Sequence, residues 1–274
     1  MRRGWALAAK SWNVIQSDRE LLVFPAFSLL ATLAAAAVLF GPAALIAARD
    51  HSGTPFVVAA FLGAYPFTFI ATYFGVAFVG VASRRLAGQE TEISDGFDCA
   101  NTRLALIARW ALLATVVGIV ISLLERARVG GLAGRILLWL GGTAWSVATF
   151  FVIPVIAIEG KGPFDAVKES ASLVRKRWGE GVVGSTVING AFGLLLVPVI
   201  LIGLIGFKDL HASPGFGAFV LFLAVVLGLA VIVTQAAVDS LFRLVLFDYA
   251  VVEMVPHPFA LDDVVNGLSP KRRG

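Results

Sequence analysis

Gln235, Asp239 and Arg243 recur every four positions near the end of the last apolar stretch, so a helix there sets an amide, a carboxylate and a guanidinium on one face. Such a face offers an ion pair, or a site for an ion or polar substrate. Counting from Gly215, a hydrocarbon core of roughly 30 Å at about 1.5 Å per residue ends near residue 235. That depth predicts an Asp239–Arg243 pair at the membrane interface, with Arg243 snorkelling or anchoring an amphipathic helix; an ion or substrate site is the alternative. Asn189 joins Gly181, Ser185 and Gly193 in a small and polar stripe on the preceding apolar stretch, which predicts close helix packing. Glu159, five residues after Pro154, offers a base or ion ligand, but its neighbours Gly160, Lys161 and Gly162 read as a turn.

Other chemistry is not signalled. A single cysteine, Cys99, excludes an intrachain disulfide and a cysteine-built zinc site, and His51, His211 and His257 lack ligand spacing. The string Gly179-x-Gly181-x-x-Gly184 matches a dinucleotide fingerprint in form, yet it follows an amphipathic helix and not a strand. Nucleophile elbow, phosphate loop and HExxH motifs are missing from the sequence. The expectation is a non-enzymatic protein with no cofactor and no metal.

The elements that carry these residues are set by hydropathy. Of 274 residues, 58% are hydrophobic and 15% charged, and the mean hydropathy is +0.88, which points to the bilayer as solvent. Six segments have the roughly 20 apolar residues that a crossing needs: Leu21–Ala48, Pro55–Ser83, Leu104–Leu124, Arg135–Ile158, Val182–Phe207 and Gly215–Leu241. The N-terminal stretch is amphipathic and reads as retained, not as a cleaved leader. The predicted fold is all-α: a polytopic transmembrane bundle of six spans in one domain, residues 1–274, ending in a basic tail over 256–274.

Charge sets the orientation. Sixteen Lys and Arg residues flank the spans on the side of the two termini, against Arg49, Arg126, Arg128, Arg135 and Lys208 on the other. Positive residues are retained in the cytoplasm, so both termini are expected inside the inner membrane of a prokaryote. A net charge of +4 predicts attraction to anionic lipid and argues little for nucleic acid.

Three segments on that side share a +3, +4, +3 spacing of apolar residues: Trp5, Ala8, Trp12, Ile15; Phe97, Ala100, Leu104, Ile107; and Phe164, Val167, Ala171, Val174. Each predicts an amphipathic helix in the interface plane. Trp5, Trp12, Trp110 and Trp178 would anchor this layer, and Lys168, Arg175, Lys176 and Arg177 would meet headgroups. Each helix precedes two spans, which predicts three like-oriented units, residues 1–83, 84–158 and 159–255.

Arg3-Gly4-Trp5, Ser11-Trp12, Asp18-Arg19-Glu20-Leu21-Leu22 with Phe24-Pro25, Trp145-Ser146 with Thr149-Phe150, Pro154 with Glu159-Gly160, Ala166 with Ser170, and Trp178-Gly179-Glu180 form a pattern over most of the chain. It resembles a family of uncharacterised prokaryotic six-helix membrane proteins. More distantly, Pro154 to Trp178 is similar to the membrane domain that accompanies some glycerophosphodiester phosphodiesterases, without their catalytic domain. The resemblance implies a fold and a compartment, not an activity. Where the family tends toward Leu-Tyr-Arg-Tyr-Ala, this chain has Leu246-Phe247-Asp248-Tyr249-Ala250. The sequence therefore leads to a protein that binds lipid headgroups, a partner subunit or a second copy through its amphipathic layer. A small transporter or channel between the hairpins is the rival.

Overall fold

The computed structural model describes residue 15 and residues 18–126, 131–178, 184–210 and 213–252; the side chains of residues 50, 131–133, 135–137, 177, 178, 184–191 and 252 stand outside that description. Within these limits the chain is all helix. A 3₁₀ turn, Arg19–Leu22, leads into α1 (Val23–Asp50); then follow α2 (Thr54–Leu86), α3 (Ile93–Thr102), α4 (Leu104–Arg126), α5 (Gly131–Ala148), α6 (Pro163–Trp178), α7 (Gly184–Asp209) and α8 (Pro214–Val252). Six helical stretches are long and apolar enough to cross a membrane, matching the six predicted segments. Two expected amphipathic helices appear as α3 and α6, but the stripe predicted for the first of these is split at Arg103: Phe97 and Ala100 lie on α3, Leu104 and Ile107 on α4. The first, with Trp5 and Trp12, lies outside the described residues; only Ile15 of its stripe is described, and it is buried.

The turns follow local chemistry. Between α1 and α2, His51 takes a left-handed backbone (φ 50°), the Ser52 hydroxyl accepts the Thr54 N–H, and Pro55 occupies the first turn of α2, where its missing N–H costs nothing. Between α7 and α8 the backbones nearly touch: a Cβ on Gly217 would lie 2.6 Å from the Leu210 nitrogen, and one on Gly206 2.7 Å from the Leu221 nitrogen. α3 begins with a reciprocal capping box between Glu92 and Asp95. The helices run uninterrupted through Pro42, Pro66 and Pro198.

Packing is concentrated at one end. Residues 76–82 of α2 are buried without a break, so that stretch is enclosed on all sides; residues 244–247 of α8 are enclosed likewise. Around them pack α3, the start of α4, residues 150–157 and α6. Small residues permit the approach. A Cβ on Gly80 would meet Cys99 Cβ at 2.7 Å, and one on Gly96 would meet the Ala77 carbonyl at 2.8 Å. We call this the charged end, because α3, α6 and the last turns of α2 lie there. The opposite halves of the hairpins expose Val38, Leu45, Leu62, Leu204 and Phe219. Only 6% of the most apolar stretch of α7 is buried within the chain, as suits a helix facing a membrane.

Length explains the asymmetry. At about 1.5 Å per residue, the 33 residues of α2 and the 39 of α8 reach roughly 50 and 58 Å, well beyond a hydrocarbon core of about 30 Å. Both run toward the charged end, where their surplus turns form the core. The last helix runs eleven residues past the predicted span Gly215–Leu241, and residues 244–247 of that extension are buried by protein.

Two expectations change. The fourth span is not one helix: α5 ends at Ala148, residues 149–151 form a turn, and a helical turn (Val152–Pro154) passes into a π-helical turn (Val155–Glu159). In α6 the buried face is Pro163, Ala166, Ser170, Leu173 and Val174, while Phe164 is 70% exposed. The predicted face, led by Phe164, is rotated by about one residue, because small Ala166 and Ser170 allow a closer seat than Phe164 and Val167.

Candidate functional site: the broken span at the charged end

Pro154 explains where the span breaks. A proline has no N–H, so the carbonyl four residues back, Phe150, loses its helical donor, and the ring crowds that same carbonyl. The strain is relieved by the turn at 149–151, which also takes the Phe151 N–H out of the helical pattern. Two other helices supply what the break leaves open. The Ser170 hydroxyl of α6 accepts the Phe151 N–H at 2.9 Å, with both residues fully buried. Arg243 Nη1 of α8 reaches the Phe150 carbonyl at 3.5 Å, and its guanidinium lies 4.7 Å from the centre of the Phe150 ring. Buried non-helical backbone is tolerable only with such partners.

Asp239 orients Arg243. Its Oδ2 accepts from Nε at 2.8 Å, the pair predicted from the spacing of four. The other oxygen, Oδ1, is buried and has no hydrogen-bond partner among the described residues. Gln235 precedes Asp239 by one turn on the same face and is partly buried. Asn189 lies on α7, and its side chain is outside the description; of its stripe, Gly193 is described and has nothing within 4 Å of a Cβ position.

Other polar groups surround this centre. Glu159 is paired with Lys161 at 2.6 Å, and Lys161 also reaches Glu169 at 3.1 Å. Hydrogen bonds to Glu159 and then Glu169 push the Lys161 ammonium above the ordinary lysine range. Glu159 is therefore engaged in a turn contact, as its neighbours suggested. Arg85 gathers Asp18, Glu20 (2.6 Å) and both the hydroxyl and the carbonyl of Thr91, tying the 3₁₀ turn to the α2–α3 connection. The Cys99 thiol, half-buried on α3 and 3.9 Å from the Ala157 carbonyl, is pushed above its usual pKa by desolvation.

The predicted anchors divide. Lys168, Arg175 and Lys176 are exposed on α6. Trp110 is corrected: it is 6% exposed and stacks on Trp145 with centroids 6.1 Å apart, because the turn of α4 that carries it enters the core. The side chains of Arg177 and Trp178 lie outside the description, as do Trp5 and Trp12. The sequence reading passed over Ser170, Phe150 and Arg85 as site residues. A signal existed for Phe150, four residues before Pro154; none existed for its partners on other helices.

A groove of about 400 Å³ lies far from these groups, at the outer end of the first hairpin, lined by Leu39, Pro42, Ile46, Val58 and Leu62 among others. It has no titratable lining residue. No three metal-ligating side chains cluster among the described residues.

Six apolar helical stretches and a core confined to one charged end define a multi-pass membrane protein. A model of a family of unknown function, DUF6159, matches residues 54–255, and the chain belongs to that family. No curated protein and no solved structure matches it, so the distant likeness to phosphodiesterase membrane domains gains no support.

Proposed function

We propose that this protein is a non-enzymatic component of a prokaryotic inner membrane that binds anionic phospholipid headgroups through α6 on the cytoplasmic side. One observation carries the reading: α6 seats Ala166, Ser170 and Leu173 against the broken span and turns Lys168, Arg175 and Lys176 outward. The excess of basic residues on that side supports the orientation. Each basic residue near an anionic surface contributes about 1 kcal/mol, so each neutralisation lowers the preference for anionic lipid roughly fivefold.

The test is native mass spectrometry of the detergent-purified protein offered equal phosphatidylglycerol and phosphatidylcholine. Phosphatidylglycerol is expected to be enriched, less so at high salt, and the enrichment should vanish in Lys168→Gln/Arg175→Gln/Lys176→Gln. Equal uptake by the unaltered protein, or enrichment unchanged in the triple variant, overturns the reading.

A second reading, a path for an ion or small polar solute beside the broken span, is favoured by the buried Asp239 Oδ1 and by the turn at 149–151 that its partner Arg243 reaches. Ion flux in proteoliposomes abolished by Asp239→Asn would support it. Flux no greater than in protein-free vesicles would sink it.

A further inference from the structure

We infer that Arg103, lying flat on Gly160, is a seat for the phosphodiester of one membrane lipid. This deepens the headgroup-binding reading and rests on it for the depth of the charged end in the membrane.

Arg103 is the single residue between α3 and α4, and its backbone is pinned. Its N–H donates to the Ala100 carbonyl at 3.1 Å, and its own carbonyl accepts from Leu106 and Ile107 at 2.9 Å each. The side chain crosses to the end of the π-helical turn. A Cβ built on Gly160 would stand 2.6, 2.7 and 2.9 Å from Nη1, Cζ and Nη2, so the guanidinium plane rests against the glycine itself. Gly160 has φ +64°, a conformation in which a side chain is strained as well as excluded. The fold thus holds this guanidinium in one plane by contact with backbone, without using its donors.

Those donors are open. Arg84, Arg85 and Arg243 each face a carboxylate, whereas the Arg103 side chain has no hydrogen bond or ion pair among the described residues. It is nevertheless partly buried, and a partly desolvated guanidinium with five N–H donors favours an anion able to take two at once.

The surroundings select the anion. Leu104, Ile158 and Phe164, next in sequence to Arg103 or within four residues of Gly160, are 45%, 41% and 70% exposed. Apolar side chains so uncovered belong against acyl chains, which puts the guanidinium at the boundary where phosphodiesters lie. A free phosphate would share the guanidinium but gain nothing from this apolar collar.

The experiment uses the full chain in mild detergent, with phosphatidylcholine as probe, because its phosphodiester has no net anionic preference to draw it to α6. Native mass spectrometry should show one retained phosphatidylcholine. Retention should fall about tenfold or more in Arg103→Gln, and in part in Arg103→Lys, which keeps charge without the planar fork. Gly160→Ala, which leaves Arg103 in place but lifts it from its seat, should also lower retention. The triple variant of α6 should retain phosphatidylcholine normally, which separates this inference from the anionic preference. Retention by Arg103→Gln equal to that of the unaltered protein overturns the seat. Inorganic phosphate displacing the lipid, with Leu104→Ala/Phe164→Ala leaving retention unchanged, assigns Arg103 to free anions and overturns the lipid. Should Arg103→Gln fail to fold, undiminished retention in both Arg103→Lys and Gly160→Ala overturns the seat equally.

Discussion

Replacing Ser170 by alanine isolates the contact that holds the broken span to α6. The change removes one oxygen from a fully buried position, so it opens little space and admits no water. What remains is the Phe151 N–H, also fully buried, without the acceptor it has at 2.9 Å. An orphaned buried donor costs about 1 to 3 kcal/mol. The amide has no easy alternative, since rewinding the helix to pair it with Val147 would press the Phe150 carbonyl onto the Pro154 ring. The same energy should therefore appear as local opening, with exchange of the amides around Phe151 accelerated roughly 5- to 150-fold. Hydrogen–deuterium exchange of the peptide spanning 149–160, with the thermal midpoint of the purified protein, reads both quantities. Ser94→Ala on α3 is the control, because its hydroxyl meets Glu92 on an exposed surface and its loss should change stability by less than about 0.5 kcal/mol. In a Pro154→Ala background, where the helix can rewind, Ser170→Ala should cost less, a coupling that separate contacts would not show. Exchange and midpoint both indistinguishable from those of Ser94→Ala would refute the reasoning.

Three further outcomes follow from the packing and electrostatics. Gly80→Ala should destabilise the protein by about 1 to 3 kcal/mol, since its methyl would meet Cys99 Cβ at 2.7 Å, whereas Gly141→Ala, with open space around it, should be neutral or stabilising in thermal melts. Arg85→Gln should loosen the 3₁₀ turn held through Asp18 and Glu20, seen as faster proteolysis before residue 23 with the rest of the chain intact. Burial raises the Cys99 pKa in the fold, so the folded thiol keeps its proton longer than the unfolded one. Stability should be unaffected below the unfolded thiol's pKa of about 8.5 and decline as pH rises above it. Maleimide labelling at neutral pH should be slower for folded than for unfolded protein.

The lopsided core bears on how such a protein works. The helices are joined tightly at one end, where α6, the broken span and α8 meet in one set of hydrogen bonds. Ser170 and Arg243 approach the break from different helices, so a shift of α6 would be felt at α8.

Six apolar stretches, the excess of basic residues beside one set of span ends and the Asp239–Arg243 pair were all legible in the chain, because each depends on composition or on neighbours within one or two helical turns. Pro154 likewise marked the carbonyl of Phe150 as the group to lose its donor. Which residues would answer for that loss was not legible. Ser170 lies 19 and Arg243 93 positions away from their partners, and one polar residue on a helix face looks like another until the helices are set side by side. The rotation of α6 has the same origin: periodicity finds an apolar stripe, but whether Phe164 or the smaller Ala166 and Ser170 faces inward depends on the space the neighbouring turn leaves. Trp110 entered the core, and Arg103 came to rest on Gly160, for reasons of the same kind. Local spacing assigns residues to helix faces, and only close packing between distant segments assigns those faces to one another.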